Sequence, residues 1–171
     1  MRILITNDDG IQSPGLEALV KVLHKEHQVI VAAPASQQSA KAHAITVRER
    51  LYVEEYAPLQ EAYGIKALAI SGTPADTVKL YVEGIIQRNP ALKPDLVISG
   101  INDGSNVGTD ILYSGTIGAA TEGYVQGVNG LAVSLDYNAE YDFEVVAKEI
   151  AARLQLLFPV GCGKTLLNIN F

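Results

Sequence analysis

The sequence predicts an α/β protein whose mostly parallel sheet is covered by helices on both faces. Short, largely apolar segments alternate along the chain with longer segments that carry a helical pattern of apolar residues. The chain has 171 residues, of which 48% are hydrophobic and 19% are charged. This is enough apolar material for one domain with a sizeable core, so we expect residues 1–171 to form a single domain.

Six of the apolar segments are predicted to be strands of that sheet. They cover residues 2–6, 28–33, 66–71, 95–99, 130–134 and 165–170. The second of them is nearly all apolar and is ended by Pro34. Residues 44–56 are expected to add one or two extended segments, and residues 100–115 form a loop rich in Gly and Asn.

Four segments between the strands are predicted to be helices. They cover residues 15–27, 75–88, 116–126 and 141–157. One face of the first helix carries Leu16, Leu19, Val20 and Leu23. The second helix has a complete start signal: Thr73 is its N-cap, Pro74 takes the first helical position, and Asp76 stands where a capping box places its acidic residue.

Composition limits the partners of the protein. The net charge is −6, and no cluster of Lys and Arg stands out, so a nucleic acid polymer is not an expected partner. The single cysteine, Cys162, excludes an internal disulfide and fits a reducing compartment. No apolar run reaches membrane-spanning length, and the N-terminus does not resemble a signal peptide. We therefore expect a soluble, cytoplasmic protein without a membrane partner.

The first predicted strand ends in Asn7, Asp8, Asp9 and Gly10. Adjacent carboxylates repel each other and need a cation, a shared proton or solvent. Other strands end in residues 34–39, 72–74 and 100–106, which are also rich in oxygen donors, and ligands bind at the carboxyl ends of parallel strands. Such donors suit Mg²⁺, Mn²⁺ or Ca²⁺, whereas zinc ligands at suitable spacing are missing. We favour a shared divalent cation; the alternative is that both acids only cap the following turn.

Residues 112–123, LYSGTIGAATEG, predict an anion site at a helix N-terminus. Thr116 is the expected N-cap, and Gly115 allows a ligand to approach the backbone. The alternative is a plain N-cap followed by small packing residues. Opposite an aspartate pair, however, the pattern favours a metal facing a phosphate, which is an arrangement for phosphoryl transfer. Next to this site, we expect Tyr113 to pack in the core, with a place in the pocket lining as the alternative. We expect His43 to be a solvated loop residue, with a substrate contact as the alternative.

These segments together resemble the SurE family of metal-dependent 5′/3′-nucleotidases. The resemblance covers essentially the whole chain and rests on ITNDDG, APASQQSAKAHAIT, SGTPAD, SGINDGSNVGTDILYSGTIGAATEG and LLNINF. It implies a Rossmann-like, three-layer α/β/α fold that hydrolyses nucleoside 5′- and 3′-monophosphates to nucleoside and phosphate. Some members of the family also act on short polyphosphate.

The resemblance also implies the residues of the site. One Mg²⁺ or Mn²⁺ per subunit would be held by Asp8, Asp9, Ser39 and Asn102. The phosphate side would include Asn106, Ser114, Gly115 and Thr116. In this hypothesis a water activated by the metal attacks phosphorus in line with the ester oxygen, and Asp8 and Asp9 are the two candidates for the catalytic base.

The chain departs from the family pattern in two places. Family members often have Pro-Asp-Arg-Asn-x-Ser-Gly after the second strand, whereas residues 34–40 read PASQQSA. The implied ligand Ser39 is kept, but the Asp-Arg pair of the family pattern is absent. Family chains also continue into a C-terminal part with a β-hairpin and an exchanged arm used in dimerisation. We therefore expect residues 1–171 to be a SurE-like domain without that part, and the full-length form to be a homodimer or tetramer.

Two other functions fit parts of the pattern. A nucleotide- or polyphosphate-binding module would use the same oxygen donors without hydrolysis. A haloacid-dehalogenase-type phosphatase would need two carboxylates in a D-x-D spacing after the first strand, and Asp8 and Asp9 are instead adjacent. The nucleotidase hypothesis is favoured over both.

Overall fold

The computed structural model describes residues 1–87, 89–161 and 163–171, and its strands form one seven-stranded sheet. The strands are β1 (Arg2–Thr6), β2 (Gln28–Pro34), β3 (Val53–Glu55), β4 (Lys66–Ile70), β5 (Leu96–Asp103), β6 (Asn129–Leu135) and β7 (Leu166–Asn170). Their order is β3-β4-β2-β1-β5-β6-β7, and every pair is parallel except β3–β4. The predicted mostly parallel sheet is confirmed. Arg88, the predicted end of a helix, and Cys162 lie outside the described residues.

Five helices cover the two faces of the sheet. They are α1 (Pro14–Leu23), α2 (Ala57–Tyr63), α3 (Pro74–Lys79), α4 (Gly115–Val125) and α5 (Phe143–Leu157). Helix α1 packs against α5, and α3 packs against α4. The three-layer α/β/α architecture is therefore confirmed. None of the helices in the described ranges has both the length and the hydropathy needed to cross a bilayer.

The central strands are buried on both faces, which explains why they are continuously apolar in sequence. In β1, Ile3 and Ile5 belong to the core cluster that includes the α1 and α5 side chains. Leu4, between them, points to the opposite cluster with residues of α3 and α4. All three side chains are fully buried. Alternation between two cores is what a parallel sheet with helices on both sides requires.

The position of the functional site follows from the strand order. The chain runs from β1 outward to β2 and β4 on one side, and then returns to β5 on the other side of β1. The carboxyl ends of β1 and β5 therefore flank a crevice at the point where the order reverses, which is the usual ligand site of such sheets.

The predicted helix over residues 75–88 begins as expected but does not continue as an α-helix. Thr73 and Asp76 form the predicted capping box. After Lys79, however, residues Leu80–Ile85 form a π-helical segment. This wider turn places both Tyr81 and Ile86, five residues apart, in the buried core.

One further expectation is confirmed, and two elements differ. Residues 44–56, expected to hold one or two extended segments, contain the one strand Val53–Glu55. Helix α2 was not predicted, because it has only seven residues and buries a single side chain, Leu59, so it shows no helical pattern of apolar residues. The strand predicted to end at residue 99 continues as β5 to Asp103 through a bulge that contains Gly100. A Gly in a strand pattern marks such bulges as well as loops, and the sequence does not separate the two.

Candidate metal and phosphate site

A cavity of about 350 Å³ opens at the carboxyl ends of β1 and β5. Its lining includes all four predicted metal ligands and two of the predicted phosphate residues: Asp8, Asp9, Ser39, Asn102, Asn106 and Ser114. These residues come from three separate stretches of the chain, around residues 8–9, 39 and 102–114. The remaining two predicted phosphate residues, Gly115 and Thr116, are buried just behind the cavity wall.

Helix α4 directs its N-terminus at the carboxylate of Asp8. The Thr116 hydroxyl donates a 2.5 Å hydrogen bond to Asp8 Oδ1, and the backbone N–H groups of Gly115 and Thr116 also favour the charged carboxylate. Gly115 permits this approach, since a Cβ there would lie only 2.9 Å from the Asp8 Cβ. Burial nevertheless outweighs these bonds and raises the pKa of Asp8.

The N-cap of α4 is Ser114, which corrects the assignment of that role to Thr116. The Ser114 Oγ accepts a hydrogen bond from the Ile117 N–H at 3.2 Å. Both residues are suitable N-caps by type, and the helix starts one residue earlier than predicted. Thr116 is thereby freed to bond Asp8 from within the first turn. A role for Gly115 and Thr116 in phosphate binding stays a prediction.

Asp9 lies at the more open side of the cavity. Its pKa is raised to about 6, first by burial and then by the negative charge of Asp8. The backbone N–H of Asp103 donates to Asp9 Oδ2 at 3.4 Å and opposes the shift only weakly. The two adjacent carboxylates thus make an unfavourable pair in the absence of a cation.

The donor set fits a hard divalent cation. Within the described part of the chain, no Lys, Arg or His forms a salt bridge with Asp8 or Asp9. The Asn102 Nδ2 donates to the Gly104 carbonyl at 2.6 Å, so the amide oxygen is the atom left for a ligand. No three His, Cys, Asp or Glu side chains cluster as a metal site among the described residues, so the hydroxyl of Ser39 and this amide would complete the set.

Ser39 is tethered to the aspartate pair through its own loop. The preceding residue, Gln38, donates its backbone N–H to the Asp8 carbonyl at 2.7 Å. The Ser39 side chain is exposed, and its Oγ accepts a 3.0 Å hydrogen bond from the Gln37 amide. The hydroxyl therefore stands at the cavity in reach of solvent and ligands.

Asn106 is held by the last strand of the sheet. Its backbone N–H donates to Asn170 Oδ1 at 2.7 Å, and its carbonyl accepts from Asn168 Nδ2 at 2.9 Å. The Asn106 side chain in turn donates to Ser134 Oγ at 2.9 Å. The asparagines of the LLNINF motif thus support the predicted phosphate side, a role that sequence reasoning did not assign to them.

Two tyrosines line the same cavity. For Tyr113 the structure favours the alternative of a pocket position over core packing, since 63% of it is exposed. Tyr137 is 77% exposed, and its ring lies over Gly104, which has no side chain to obstruct it. No spacing or motif marked Tyr137, because its position depends on how β6 and β5 end side by side.

His43 is an exposed loop residue, as expected, but it has a partner that was not expected. Its Nε2 lies 2.7 Å from Oε2 of Glu122, and 36% of its side chain remains exposed. Glu122 is a buried residue of α4. A charged partner on a helix 79 residues away could not be identified from the sequence of the loop.

The fold and the site define a class of protein: an α/β domain with an oxygen-lined cavity at the switch point of its sheet. The chain belongs to the SurE family, because the family model "Survival protein SurE" matches residues 3–171. It is 49% identical over 177 residues to 5′-nucleotidase SurE of Solidesulfovibrio magneticus and 42% identical over 171 residues to that of a Thermoanaerobacter species. These alignments cover 100% and 99% of this chain.

The architecture also matches a solved structure of the family. The SurE protein from Aquifex aeolicus superposes with a TM-score of 0.85 at 35% identity, covering 100% of this chain and 66% of that chain. The chain spans 65% of the length of each of the two curated relatives.

Proposed function

We propose that the protein is a divalent-metal-dependent phosphatase that hydrolyses nucleoside 5′- and 3′-monophosphates to nucleoside and phosphate, and that it also acts on short polyphosphate. The observation that carries this proposal is the convergence of Asp8, Asp9, Ser39 and Asn102 on one cavity, beside Asn106. The relatives named 5′-nucleotidase SurE support the same activity. Mg²⁺ and Mn²⁺ are the metals we propose, since both favour oxygen ligands.

In this proposal the residues of the site have three roles: holding the cation, orienting a ligand and accepting a proton. Asp8, Asp9, Ser39 Oγ and the Asn102 amide oxygen would hold the cation, which when bound would supply an acidified water and polarise the phosphoryl group. Thr116 orients Asp8 through its hydroxyl. Asp9 is the better candidate for receiving a proton, because it is less buried than Asp8, whose Oδ1 already accepts the Thr116 hydroxyl.

The phosphate would lie on the side of Asn106 and Ser114. The Ser114 hydroxyl accepts from Ile117 N–H and keeps its own proton to donate, so it can bind a phosphate oxygen. Further donors are the backbone N–H groups at the start of α4. Two of them, those of Gly115 and Thr116, already interact with the Asp8 carboxylate. We therefore place the phosphate against the bound cation and the Ser114 hydroxyl, with the helix field as a secondary contribution.

The nucleoside would use the aromatic part of the cavity wall. Tyr113 and Tyr137 present exposed rings in the same lining as the aspartates. The aromatic rings at these positions can stack against any of the nucleobases. This arrangement supports a nucleotide substrate over a small phosphate ester.

The experiment is phosphate release from AMP with and without Mn²⁺, using the wild type and Asp8→Asn. We expect Mn²⁺-dependent release from the wild type and loss of at least about a thousandfold in Asp8→Asn, because the asparagine cannot supply the anionic ligand. Circular dichroism checks that the variant is folded. Binding of AMP without any phosphate release by the wild type would instead identify the non-catalytic binding module.

Location and assembly complete the proposal. We propose a cytoplasmic protein, which the single cysteine supports. We treat residues 1–171 as one SurE-like domain and propose that the full-length form is a homodimer or tetramer. Support for assembly comes from β7, an outer strand whose Leu166 is 38% exposed. Light scattering on a full-length chain tests the assembly.

A further inference from the structure

The segment from Gln38 to Thr46, here called the Ser39 loop, is anchored on both sides of Ser39. On the near side, the Gln38 N–H donates to the Asp8 carbonyl at 2.7 Å. On the far side, the Ala42 N–H donates to the Tyr113 carbonyl at 2.9 Å. Between these two bonds, Ser39 accepts a hydrogen bond only from the neighbouring Gln37 amide at 3.0 Å, and Lys41 accepts one from the Ala44 N–H at 3.1 Å. Both contacts are local, so the position of Ser39 relative to Asp8 depends on the two anchors.

The far anchor is completed by the pair His43–Glu122. His43 Nε2 and Glu122 Oε2 are 2.7 Å apart, and Glu122 is only 4% exposed. Its other oxygen, Oε1, accepts a 2.7 Å hydrogen bond from Gln126, and Lys79 Nζ lies 3.9 Å away. The carboxylate that receives the loop is therefore fixed within its own helix and makes a rigid attachment point.

The backbone of the loop is held in conformations that it would not adopt unaided. Ala40 has a φ of 57° and Ala42 a φ of 52°, which lie in the left-handed region that residues with a Cβ avoid. The Ala42 carbonyl also lies directly on Gly118 of α4, where a Cβ would overlap it. Unfavourable dihedrals persist only where surrounding contacts impose them. His43–Glu122 is the side-chain contact next to Ala42, whereas the contacts of Thr46 with Asp76 lie further along the loop.

We propose that His43 and Glu122 are positioning residues that set the place of Ser39 in the metal site. The inference rests on the proposed function, because it takes Ser39 as a ligand of the cation. In this role the pair contacts neither substrate nor metal. It keeps the strained stretch from Ala40 to Ala42 in the one arrangement that brings the Ser39 hydroxyl beside Asp8.

The test is a double-mutant cycle in Mn²⁺ affinity, measured by calorimetric titration of the metal alone into the full chain. We expect Ser39→Ala, which removes a proposed ligand, and His43→Ala, which removes the support of that ligand, each to weaken Mn²⁺ binding about tenfold. The double variant should bind no more weakly than Ser39→Ala alone, because His43 acts through Ser39. His43→Gln, which retains a donor for Glu122, should bind within about threefold of the wild type.

Two controls separate positioning from general damage. His24→Ala removes another histidine, one that follows α1 and contacts Val20 of α1 and Tyr63 of α2 away from the cavity, and it should leave Mn²⁺ affinity unchanged. Thermal unfolding reports whether His43→Ala is folded, and Glu122→Gln supplies a second variant if it is not. An additive loss in the double variant, or wild-type affinity in a folded His43→Ala, would overturn the proposal.

Failure of this inference is distinguishable from failure of the proposed function. Wild-type Mn²⁺ affinity in Ser39→Ala would overturn both the positioning role and the place of Ser39 in the site. Release of phosphate from AMP by the wild type is measured separately, and it decides the nucleotidase proposal whatever the result of the cycle.

Discussion

At the scale of single residues, the site is built around two carboxylates, Asp8 and Asp9, whose charged forms are destabilised by burial in the folded protein. Asp8 is buried and Asp9 is half-buried, and burial raises the pKa of both. Helix α4 offsets part of the cost at Asp8 through Thr116, while no described cation offsets it at Asp9. A divalent ion would remove the repulsion, so we expect stability and metal binding to be linked here.

Replacing Asp9 by asparagine should stabilise the metal-free protein near neutral pH. The folded pKa of about 6 exceeds the unfolded value of 3.8, so the folded state binds this proton more tightly. Below about pH 4 both states are protonated and the group costs nothing. As pH rises from about 4 to 6 the unfolded state ionises first, and stability falls until the full cost is present above pH 6.

We therefore expect Asp9→Asn to raise the free energy of unfolding by about 1 kcal/mol at pH 7.5, because partial exposure screens the charge. The gain should vanish below pH 4. Urea unfolding in EDTA measures it, with Glu54→Gln as a control on an exposed acid of β3. A metal-free Asp9→Asn that is no more stable than the wild type at pH 7.5 contradicts this account of the pair.

Removing the hydroxyl that bonds Asp8 should weaken metal binding without removing a ligand. In Thr116→Val the 2.5 Å hydrogen bond to Asp8 Oδ1 is lost, which favours the protonated form of that carboxyl. We expect Mn²⁺ affinity to fall about tenfold, as measured by calorimetry. Thr116→Ser keeps the hydroxyl and should stay near the wild-type value. Equal affinity in Thr116→Val would show that this bond does not tune the site.

At the scale of elements, the Ser39 loop adopts backbone dihedral angles that its alanine residues do not favour. Its sequence has Ala40 where the family pattern has Gly after the ligand serine, and the structure shows why Gly suits the position: φ is 57°. The loop keeps this conformation with an alanine because it is anchored on both sides.

Changing Ala40 to glycine should stabilise the protein by about 0.5–1 kcal/mol. Relief of the left-handed strain outweighs the larger entropy that glycine gives the unfolded chain. Chemical denaturation measures the difference. Ala152→Gly, at an exposed position inside α5, is the matched control and should lower stability by about 1 kcal/mol. Destabilisation by Ala40→Gly would contradict the assigned backbone conformation.

Elements that differ from prediction do so where tertiary packing overrides local pattern. The sequence around residues 75–88 is helical in period, yet the turn widens so that Tyr81 and Ile86 are both buried. The Gly100 position was read as the start of a loop, whereas β6 continues to pair with β5 beyond the bulge. Periodicity and glycine content are local properties of the sequence. They carry no information about which distant segment will pack or pair with an element.

At the scale of the whole molecule, the site joins distant parts of the chain. Asp8, Ser39 and Asn102 could be predicted as neighbours because each follows a parallel strand, and such strand ends meet at one edge. The supporting contacts could not be predicted. Asn170 reaches Asn106, and His43 reaches Glu122, through packing that only the folded structure specifies.

Asn170→Ala should impair substrate binding more than metal binding. It removes the acceptor for the Asn106 N–H on the side of the cavity where we propose that the phosphate binds. We expect the KM for AMP to rise about fivefold, with Mn²⁺ affinity unchanged, at a cost of about 1 kcal/mol in stability. Asn129→Ala is the control, since Asn129 Oδ1 accepts the Thr165 N–H at the opposite end of the sheet. It should cost similar stability and leave KM unchanged; a similar rise in KM there would refute the specific role of Asn170.

The most direct test of the central claim is anomalous scattering from manganese in crystals soaked with Mn²⁺. We predict one strong peak in the cavity, with oxygens of Asp8, Asp9, Ser39 and Asn102 about 2.0–2.6 Å from it. A fully soaked crystal with no peak at these four residues, or with its only peak elsewhere on the molecule, would contradict the proposed metal site and the phosphatase built on it.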